Sequence, residues 1–328
     1  MAALRPTLAA FVFLLISAST CAFDLQGHRG ARAIAPENTL EGFAQALSDG
    51  VTTLELDIAI TKDGVLVISH DPALNPDITR GPDGEFLQTR GPVISSLTFD
   101  ELSRYDVGRI KPGTQYARLY PDQRGMDGVR IPRLSDLFAL VKKSGNDRVR
   151  FAIETKVSPL APQDTMEVEA FTRAVLGSIR EAGVAPRSSV LSFEWRSLQV
   201  VKREAPDIPT VYLTAQQRFM DNIEADKAGA SPWTAGLRYK DYGSVPRMIK
   251  AAGGHTWSVY HGDLTAAKVK EAHDLGLKVL AWTVNDPGLM ARMMDMGVDG
   301  LVSDRPDLVR EEMRRRGLEL PLPTPVLP

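Results

Sequence analysis

Helix-like and strand-like segments alternate regularly over the second half of the chain. Apolar residues recur at helical spacing in some stretches, and short apolar runs separate those stretches. Strands that alternate with helices form a parallel sheet with the helices packed outside it. The predicted helices are 134–143, 165–181, 195–204, 242–252, 266–275, 288–295 and 306–316, and the predicted strands are 150–156, 189–192, 210–213, 236–237, 256–259, 278–284 and 300–303.

Residues 24–60 begin the same pattern. A strand is predicted at 24–28, and Asn38, with Glu41 three residues later, predicts the start of a helix. Residues 51–60 alternate between apolar and polar side chains, which predicts a further strand.

A hairpin and an irregular segment follow. Asp63-Gly64 predicts a two-residue hairpin turn that leads to a return strand at 65–69. From 72 to 132 the apolar periodicity is lost, which predicts an insertion with one short helix near 99–105. The Pro-rich tail, 321–328, is expected to be disordered.

The length of 328 residues fits one barrel domain with an insertion, because single barrels run to about 250 residues. About eight strands fit a closed (β/α)8 TIM barrel better than a doubly wound sheet. The sequence contains no P-loop and no G-x-G-x-x-G fingerprint, which disfavours a nucleotide-binding fold. We therefore expect one α/β barrel domain over 23–320, with the insertion at about 72–132.

The N-terminus has the layout of a secretory signal peptide. Arg5 precedes an apolar run at 8–16, and small residues follow up to Ala22, after which cleavage is expected. The prediction is a signal peptide over 1–22 and a periplasmic or secreted mature protein. An uncleaved anchor and a lipid-anchored Cys21 are the alternatives. Cys21 is the only cysteine, so a mature chain without it has neither disulfides nor a cysteine nucleophile.

The formal net charge of −2 disfavours a general nucleic-acid or membrane-surface binder. No nucleic-acid partner and no stable membrane insertion are expected. A local site for a small anion remains compatible with this charge, and the oligomeric state does not follow from the sequence.

Polar side chains stand where several predicted strands end. Barrel enzymes build their active sites at the C-terminal ends of the strands. The chemically capable residues at these ends are His28 and Arg29, Glu55 and Asp57, His70, and Glu154 and Lys156. The strand from 278 ends at Trp282-Thr283-Val284-Asn285, and the last strand ends at Ser303-Asp304.

The hairpin predicts which of these residues lie together. Glu55 and Asp57 are two positions apart on one strand, so their side chains share a face. If Lys62 pairs with Val65 across the turn, Asp57 lies opposite His70. A shift of one residue would instead place Asp57 opposite Ser69.

Three carboxylates that meet in a barrel mouth repel one another. At about 4 Å and an effective dielectric constant near 20, each pair costs roughly 4 kcal/mol. A cation or shared protons must offset this repulsion, and an all-oxygen set favours Mg²⁺ or Ca²⁺ over zinc. Each residue also has an ordinary structural alternative. Glu55 and Asp57 would be a solvated carboxylate pair, and His28 or His70 would be a structural histidine. Glu154 and Lys156 would be an ion pair. His255, His261 and His273 are expected to be structural.

With these residues, the chain resembles the glycerophosphodiester phosphodiesterase family in its periplasmic form. The matching segments run in family order along nearly the whole mature chain. They are Gly27-His28-Arg29-Gly30, Pro36-Glu37-Asn38-Thr39, Glu55-Leu56-Asp57, Thr61-Lys62-Asp63-Gly64, His70-Asp71-Pro72, Tyr105-Asp106-Val107-Gly108, Glu154-Thr155-Lys156, Trp282-Thr283-Val284-Asn285 and Gly297-Val298-Asp299-Gly300.

The resemblance implies a TIM barrel of the phospholipase C-like phosphodiesterase type, with an inserted subdomain. It implies one divalent ion, Ca²⁺ or Mg²⁺, held by Glu55, Asp57 and Glu154. It further implies that His28 and His70 form the acid–base pair and that Arg29 and Lys156 bind the phosphate. The implied reaction converts a glycerophosphodiester to sn-glycerol 3-phosphate and an alcohol, within glycerol and lipid metabolism.

Three points stay open at this level. The nucleophile is either water or the neighbouring hydroxyl of the glycerol, which would first form a cyclic phosphate. The substrate could instead be a lysophospholipid, cleaved by a lysophospholipase D on the same barrel. A non-catalytic exported binding protein is the remaining alternative, and the His28–His70 pair argues against it because pure binding needs no proton transfer.

Overall fold

The fold is a closed parallel barrel, seen in a computed structural model that describes residues 22–328. The strands in chain order are β1 (Asp24–Gly27), β2 (Thr53–Ile60), β3 (Leu66–Ile68), β4 (Arg150–Thr155), β5 (Ser188–Ser192), β6 (Thr210–Thr214), β7 (Gln216–Gln217), β8 (Met220–Asp221), β9 (Thr256–Tyr260), β10 (Lys278–Trp282) and β11 (Gly300–Ser303). Eight of them are parallel and follow the order β1-β2-β4-β5-β6-β9-β10-β11. Because β1 pairs with both β2 and β11, the sheet closes on itself, and the predicted (β/α)8 barrel is confirmed.

The helices in chain order are α1 (Leu40–Asp49), α2 (Phe99–Leu102), α3 (Gln115–Leu119), α4 (Leu134–Lys143), α5 (Val168–Glu181), α6 (Trp195–Glu204), α7 (Tyr239–Tyr242), α8 (Val245–Ala251), α9 (Ala266–Asp274), α10 (Pro287–Asp295) and α11 (Pro306–Arg315). All but α2 and α3 pack outside the barrel strands. Among residues 22–328, no helix is both long enough and apolar enough to cross a bilayer.

The alternation along β2 divides its side chains between two layers. Leu54, Leu56 and Ile58 join the large apolar core between the strands and the outer helices. Glu55 and Asp57 therefore face the barrel interior. The interior floor is a separate small apolar layer that includes Leu191, Leu213 and Leu280. The strand that supplies the outer core thus presents its carboxylates inward, above an apolar floor.

Segment 72–132 leaves the barrel after β3 and contains α2 and α3. It has its own apolar cluster, which packs against the hairpin through Ala59 and Val67. The predicted helix near 99–105 is shorter, at Phe99–Leu102, and α3 was not predicted.

The predicted register of the hairpin is wrong by one residue. Ile58 pairs with Ile68 and Ile60 with Leu66, so Asp57 lies opposite Ser69, whose backbone N–H donates to the Asp57 carbonyl at 2.9 Å. The reason is the turn, which has three residues rather than two. Gly64 has a φ of 81°, in the left-handed region that closes such a three-residue loop.

Other sequence-based predictions also differ from the structure. The strand predicted at 236–237 lies in a turn, and the small hairpin of β7 and β8 was not predicted. The tail is not free of the barrel: the Thr324 backbone N–H donates to the Leu47 carbonyl at 2.8 Å, and Lys143 Nζ donates to the Leu327 carbonyl at 2.9 Å. The predicted signal peptide falls almost wholly on residues 1–21, outside the described residues, so export remains a prediction.

Candidate active site

Three buried carboxylates meet inside the barrel. Glu55 and Asp57 come from β2, and Glu154 comes from β4, where it is the direct register partner of Asp57. Each of the three offers an oxygen atom, and these oxygens all lie within 4.8 Å of one another. The predicted acidic residues are therefore brought together, and they do not lie on solvated surface.

The basic side chains around this cluster do not fully neutralise its three carboxylates. Burial, Asp57 and Glu154 raise the pKa of Glu55 well above its usual value. Burial raises the pKa of Glu154 to about 7 against the opposing effect of Lys156. Burial also acts against the ionisation of Asp57, but Lys156, His70 and Arg29 outweigh it and hold the pKa of Asp57 below its usual range. The donor set is all oxygen and its charges are incompletely neutralised, which fits a divalent cation such as Mg²⁺ or Ca²⁺.

The loop between β1 and α1 binds two of these carboxylates. The backbone N–H of Arg29 donates to Glu55 Oε2 at 2.9 Å, and Asn38 Nδ2 donates to Asp57 Oδ2 at 2.9 Å. Arg29 and Asn38 have φ angles of 50° and 54°, which non-glycine residues seldom adopt. Such conformations cluster at functional sites, where the surrounding structure enforces them.

The tight turn of this loop depends on Gly30. Its φ is 89°, and a Cβ atom there would lie 2.6 Å from the backbone carbonyl carbon of Gly42 at the start of α1. Only glycine allows the loop to approach the helix this closely. This approach carries Arg29 over the carboxylates. The predicted helix start at Asn38 is one residue early, because Thr39 caps α1 and Asn38 is committed to Asp57.

His28 is held by a buried carboxylate from the far end of the chain. Its Nδ1 lies 2.6 Å from Asp304 Oδ1, directly after β11. Asp304 also accepts from Arg32 Nε at 2.8 Å and from Asn285 Nδ2 at 2.7 Å. Burial and Arg32 lower the pKa of His28 to about 4, although Asp304 acts in the opposite direction. Since a carboxylate only accepts hydrogen bonds, Nδ1 carries a proton and Nε2 is available to a substrate.

His70 has a similar arrangement on the other side of the cavity. Its Nδ1 lies 2.8 Å from Asp71 Oδ1, and Asn75 Nδ2 donates to Asp71 Oδ2 at 2.8 Å. Burial, followed by Arg29 and Lys156, lowers the pKa of His70. Both imidazoles are thus oriented by a carboxylate that holds the same ring nitrogen. They line one cavity of about 220 Å³ together with Glu55 and Glu154, which we call the central cavity.

Two basic side chains border the carboxylates. Lys156 Nζ lies 2.7 Å from Glu154 Oε1 and 3.6 Å from Asp57 Oδ1. Arg29 Nε lies 3.4 Å from Asp57 Oδ2, and its Nη1 donates to Glu37 Oε1 at 2.7 Å. Burial disfavours the charged form of Lys156, but Glu154 and Asp57 outweigh it and raise the pKa of its ammonium group. The pair can therefore present positive charge to a phosphate.

The insertion supplies supports that the sequence did not reveal. Tyr116 on α3 donates its hydroxyl to Glu37, the same residue that binds Arg29. Tyr120 lies under the Arg32 guanidinium, 4.7 Å from ring centroid to Cζ. The insertion therefore helps to fix both arginines at the rim of the cavity.

Several residues of the site had no predicted role in it: Arg32, Glu37, Asn38, Tyr116, Asn285 and Asp304. The strand-end position of Asp304 was a usable signal, because it follows β11 as His28 follows β1. Tyr116 gave no signal, because it lies in a segment without periodicity.

The other histidines lie elsewhere. His273 is 40% exposed on α9 and pairs with Asp299 at 2.9 Å, and His261 stacks on Tyr260 with ring centroids 4.4 Å apart. His255 is exposed at the start of β9. All five histidines lie within residues 22–328, and among them only His28 and His70 line the central cavity.

Comparison with known proteins agrees with this geometry. The sequence model of the glycerophosphoryl diester phosphodiesterase family matches residues 28–308. A glycerophosphodiester phosphodiesterase of Caldanaerobacter subterraneus subsp. tengcongensis is 28% identical over 290 residues, which cover 88% of this chain and 97% of that protein.

Solved structures give the same result. A protein of Silicibacter pomeroyi DSS-3, provisionally assigned as a glycerophosphoryl diester phosphodiesterase, is 36% identical with a TM-score of 0.82, covering 92% of this chain and 96% of that one. An Oleispira antarctica phosphodiesterase, solved in complex with the product sn-glycerol-3-phosphate, shares the fold at 21% identity and a TM-score of 0.63, covering 88% of this chain and 96% of that one. The resemblance seen in the sequence is confirmed, and the chain belongs to the glycerophosphoryl diester phosphodiesterase family of enzymes.

Proposed function

We propose that this enzyme hydrolyses glycerophosphodiesters to sn-glycerol 3-phosphate and an alcohol, with His28 and His70 as the acid–base pair. The observation that carries the proposal is the convergence of three buried carboxylates, two carboxylate-oriented imidazoles and two cationic side chains on one cavity. A site for binding alone would not need two imidazoles that are each oriented through Nδ1 by a carboxylate.

The divalent cation belongs to this proposal. Glu55, Asp57 and Glu154 would hold it, because they are the described residues that offer three neighbouring carboxylate oxygens. A bound Mg²⁺ or Ca²⁺ supplies stabilisation for the negative charge that develops on the phosphoryl oxygens. Asn38 and the backbone N–H of Arg29 orient Asp57 and Glu55 for that task.

Side chains of the protein stabilise the charge on the phosphate and transfer the protons. Arg29 and Lys156 hold the phosphate of the substrate and stabilise its growing charge. Hydrolysis breaks the bond between phosphorus and the alcohol oxygen and forms a bond between phosphorus and the oxygen of water. One imidazole takes a proton from the nucleophile, and the other gives a proton to the departing alcohol oxygen. Asp304 and Asp71 stabilise the imidazolium forms that arise during this exchange.

The nucleophile has two candidate forms that differ in their intermediates. In one, water attacks phosphorus directly. In the other, the neighbouring glycerol hydroxyl attacks first and expels the alcohol, and water then opens the resulting cyclic phosphate. Trapping of a cyclic glycerophosphate in a rapid quench supports the second route, and its absence at every time point supports the first.

The test is turnover of sn-glycero-3-phosphocholine, followed by enzymatic detection of glycerol 3-phosphate. The parent protein with Mg²⁺ or Ca²⁺ releases product, whereas His28→Ala and His70→Ala reduce kcat by at least a hundredfold and still bind the cation in calorimetry. His273→Ala is the matched control, since this histidine is on the surface and pairs with a carboxylate. If His28→Ala kept turnover within tenfold of the parent, the acid–base assignment would be wrong.

A further inference from the structure

A second cavity opens beside the central one, with a volume of about 380 Å³. The two cavities share five lining residues: His70, Glu154, Lys156, Phe193 and Trp282. The rest of the second cavity is mostly apolar, lined by Pro72, Val157, Ala161, Phe219, Met220 and Trp233. We call it the apolar cavity. Its position places it directly next to the phosphate site, where one substituent of a phosphodiester must lie.

The polar groups on the wall of the apolar cavity are already engaged with protein partners. Asp164 Oδ2 accepts from Arg90 Nη2 at 2.7 Å, and Ser158 Oγ accepts from the Leu160 backbone N–H at 3.2 Å. Thr165 Oγ1 donates to the Met166 carbonyl at 3.3 Å. A small polar alcohol would lose hydrogen bonds to water on entering and gain few in return.

The rim of the apolar cavity exposes large apolar side chains. Phe219 is 64% exposed, and Leu160 and Met166 are 71% and 36% exposed on the loop that supplies Ala161 and Thr165. Phe219 packs edge-on against Tyr260, with ring centroids 5.2 Å apart. Several exposed apolar side chains around one opening are typical of a site for an apolar ligand.

The central cavity is lined by more charged and polar side chains than the apolar cavity, and it suits the glycerol phosphate. Ser258 Oγ, at its wall, is buried and has no hydrogen-bond partner among the described residues. Arg32 and Thr283 lie on the same wall. Trp282, which lines both cavities, has a buried indole N–H that is likewise unpartnered within residues 22–328. The Ser258 hydroxyl and the Trp282 indole N–H can bind glycerol hydroxyls and a phosphoester oxygen.

We infer that the preferred substrates are glycerophosphodiesters whose departing alcohol is apolar, with the alkyl or aryl group of the alcohol bound in the apolar cavity. This inference rests on the proposed function. It assigns the glycerol phosphate to the central cavity and the alcohol to the neighbouring one. Ethanolamine esters would then be cleaved with lower efficiency than esters of longer alkanols.

The experiment is a chain-length series of sn-glycero-3-phospho-n-alkanols, from ethanol to octanol, assayed below their critical micelle concentrations. Full burial of one methylene group is worth roughly fourfold in kcat/KM. We expect kcat/KM to rise about two- to fourfold per methylene until the cavity is filled. Turnover of all members at equal efficiency overturns the inference and leaves the proposed function standing.

The same series separates the other outcomes. If neither the alkanol esters nor glycerophosphocholine is cleaved, the proposed function fails and the inference fails with it. A second series carries the chain on the glycerol instead, as 1-acyl-sn-glycero-3-phosphocholines. A chain-length gain confined to that series overturns the assignment of the apolar cavity to the alcohol and favours lysophospholipid cleavage.

Two variants test the cavity itself through the ratio of kcat/KM for the octyl ester to that for the ethyl ester. Phe219→Ser removes an apolar rim residue that is largely exposed, and Ala161→Phe places a ring into the cavity. Both lower the ratio, by about fivefold or more. Leu322→Ser is the matched control: this residue is 72% exposed near Thr52 and Arg150, which lie at the N-terminal ends of β2 and β4. An unchanged ratio in both cavity variants contradicts the inference.

Discussion

His28 Nδ1 lies 2.6 Å from Asp304 Oδ1, so that the first and last strands of the barrel supply the two halves of one hydrogen bond. Asp304 is fully buried and also binds Arg32 and Asn285. Although burial opposes its ionisation, Arg32 and His28 hold the pKa of Asp304 below its usual range. A fixed anion therefore stands behind the imidazole and sets which ring nitrogen faces the substrate.

We predict that Asp304→Asn lowers kcat by about a hundredfold and changes KM little. The amide keeps the size of the carboxylate but can donate to Nδ1, which favours the tautomer with the proton on Nε2. Loss of the carboxylate also removes an anion that favours the imidazolium form of His28, so the pH profile of kcat shifts. The measurement is kcat and KM across pH 5 to 9, together with Tm. A proportional fall in activity and Tm, with an unchanged pH profile, would show that Asp304 is only structural.

The second prediction concerns Asn38, which donates to Asp57 from a left-handed backbone conformation. Asn38→Gly removes the amide without backbone strain, because glycine adopts this φ freely. We expect the affinity for Mg²⁺ or Ca²⁺ to fall about tenfold or more, as is usual when a partner of a metal ligand is lost. Calorimetric titration gives the affinity. Asn75→Gly, which removes an amide that binds Asp71 instead, leaves cation affinity near that of the parent.

The carboxylate cluster predicts a conflict between stability and function. Glu55 is buried beside two other carboxylates, so Glu55→Gln removes repulsion from the cation-free protein. We expect this variant to have a higher Tm than the parent without metal and to lose most of the Tm increase that Mg²⁺ or Ca²⁺ gives the parent. Thermal unfolding with and without cation measures both. Equal cation-induced increases in the two proteins would remove Glu55 from the ligand set.

A pH-dependent effect is expected at Asp49, the last residue of α1. Burial, with a smaller contribution from Asp307, raises the pKa of Asp49 to about 6 against the hydrogen bond from Gln45. Since the folded-state pKa exceeds the unfolded value of 3.8, this group costs stability as the pH rises from about 4 to 6, and the full cost persists above that. The carboxylate also faces the negative end of the helix dipole.

Asp49→Asn should therefore stabilise the protein by about 1 kcal/mol at pH 7.5 and hardly at all at pH 4. Urea unfolding at both pH values measures the difference. Asp274→Asn is the control, because Asp274 likewise ends a helix, α9, but is exposed and paired with Lys270. A gain of equal size at both pH values would rule out the charge of Asp49 as its cause.

Most of the barrel could be predicted from the sequence, because its helices and strands each have a periodic pattern of apolar residues. The alternation over β2 indicated both that Glu55 and Asp57 share a face and that Leu54 and Leu56 lie on the other. The predicted turn after β2 was one residue too short, because the sequence Asp63-Gly64 occurs in three-residue loops as well as in two-residue ones.

Although the predicted register was wrong, His70 still lies on the same cavity as Glu55 and Glu154. The strand pattern is not the reason. β3 ends at Ile68, so strict alternation no longer fixes the direction of the His70 side chain. The contacts across the barrel, such as His28 to Asp304, depend on which strand ends meet after closure, and periodicity within one segment does not reveal them. Tyr116 lies in an irregular insertion, and only the folded chain brings it to Glu37.

The role of the carboxylate cluster is tested by the rate at which chelator-treated protein releases glycerol 3-phosphate from sn-glycero-3-phosphocholine, before and after Mg²⁺ or Ca²⁺ is added. If Glu55, Asp57 and Glu154 hold a catalytic cation, the stripped protein is at least a hundredfold slower and one of the two ions restores the rate. If the stripped protein turns over at the rate of the reloaded one, these carboxylates hold no catalytic cation.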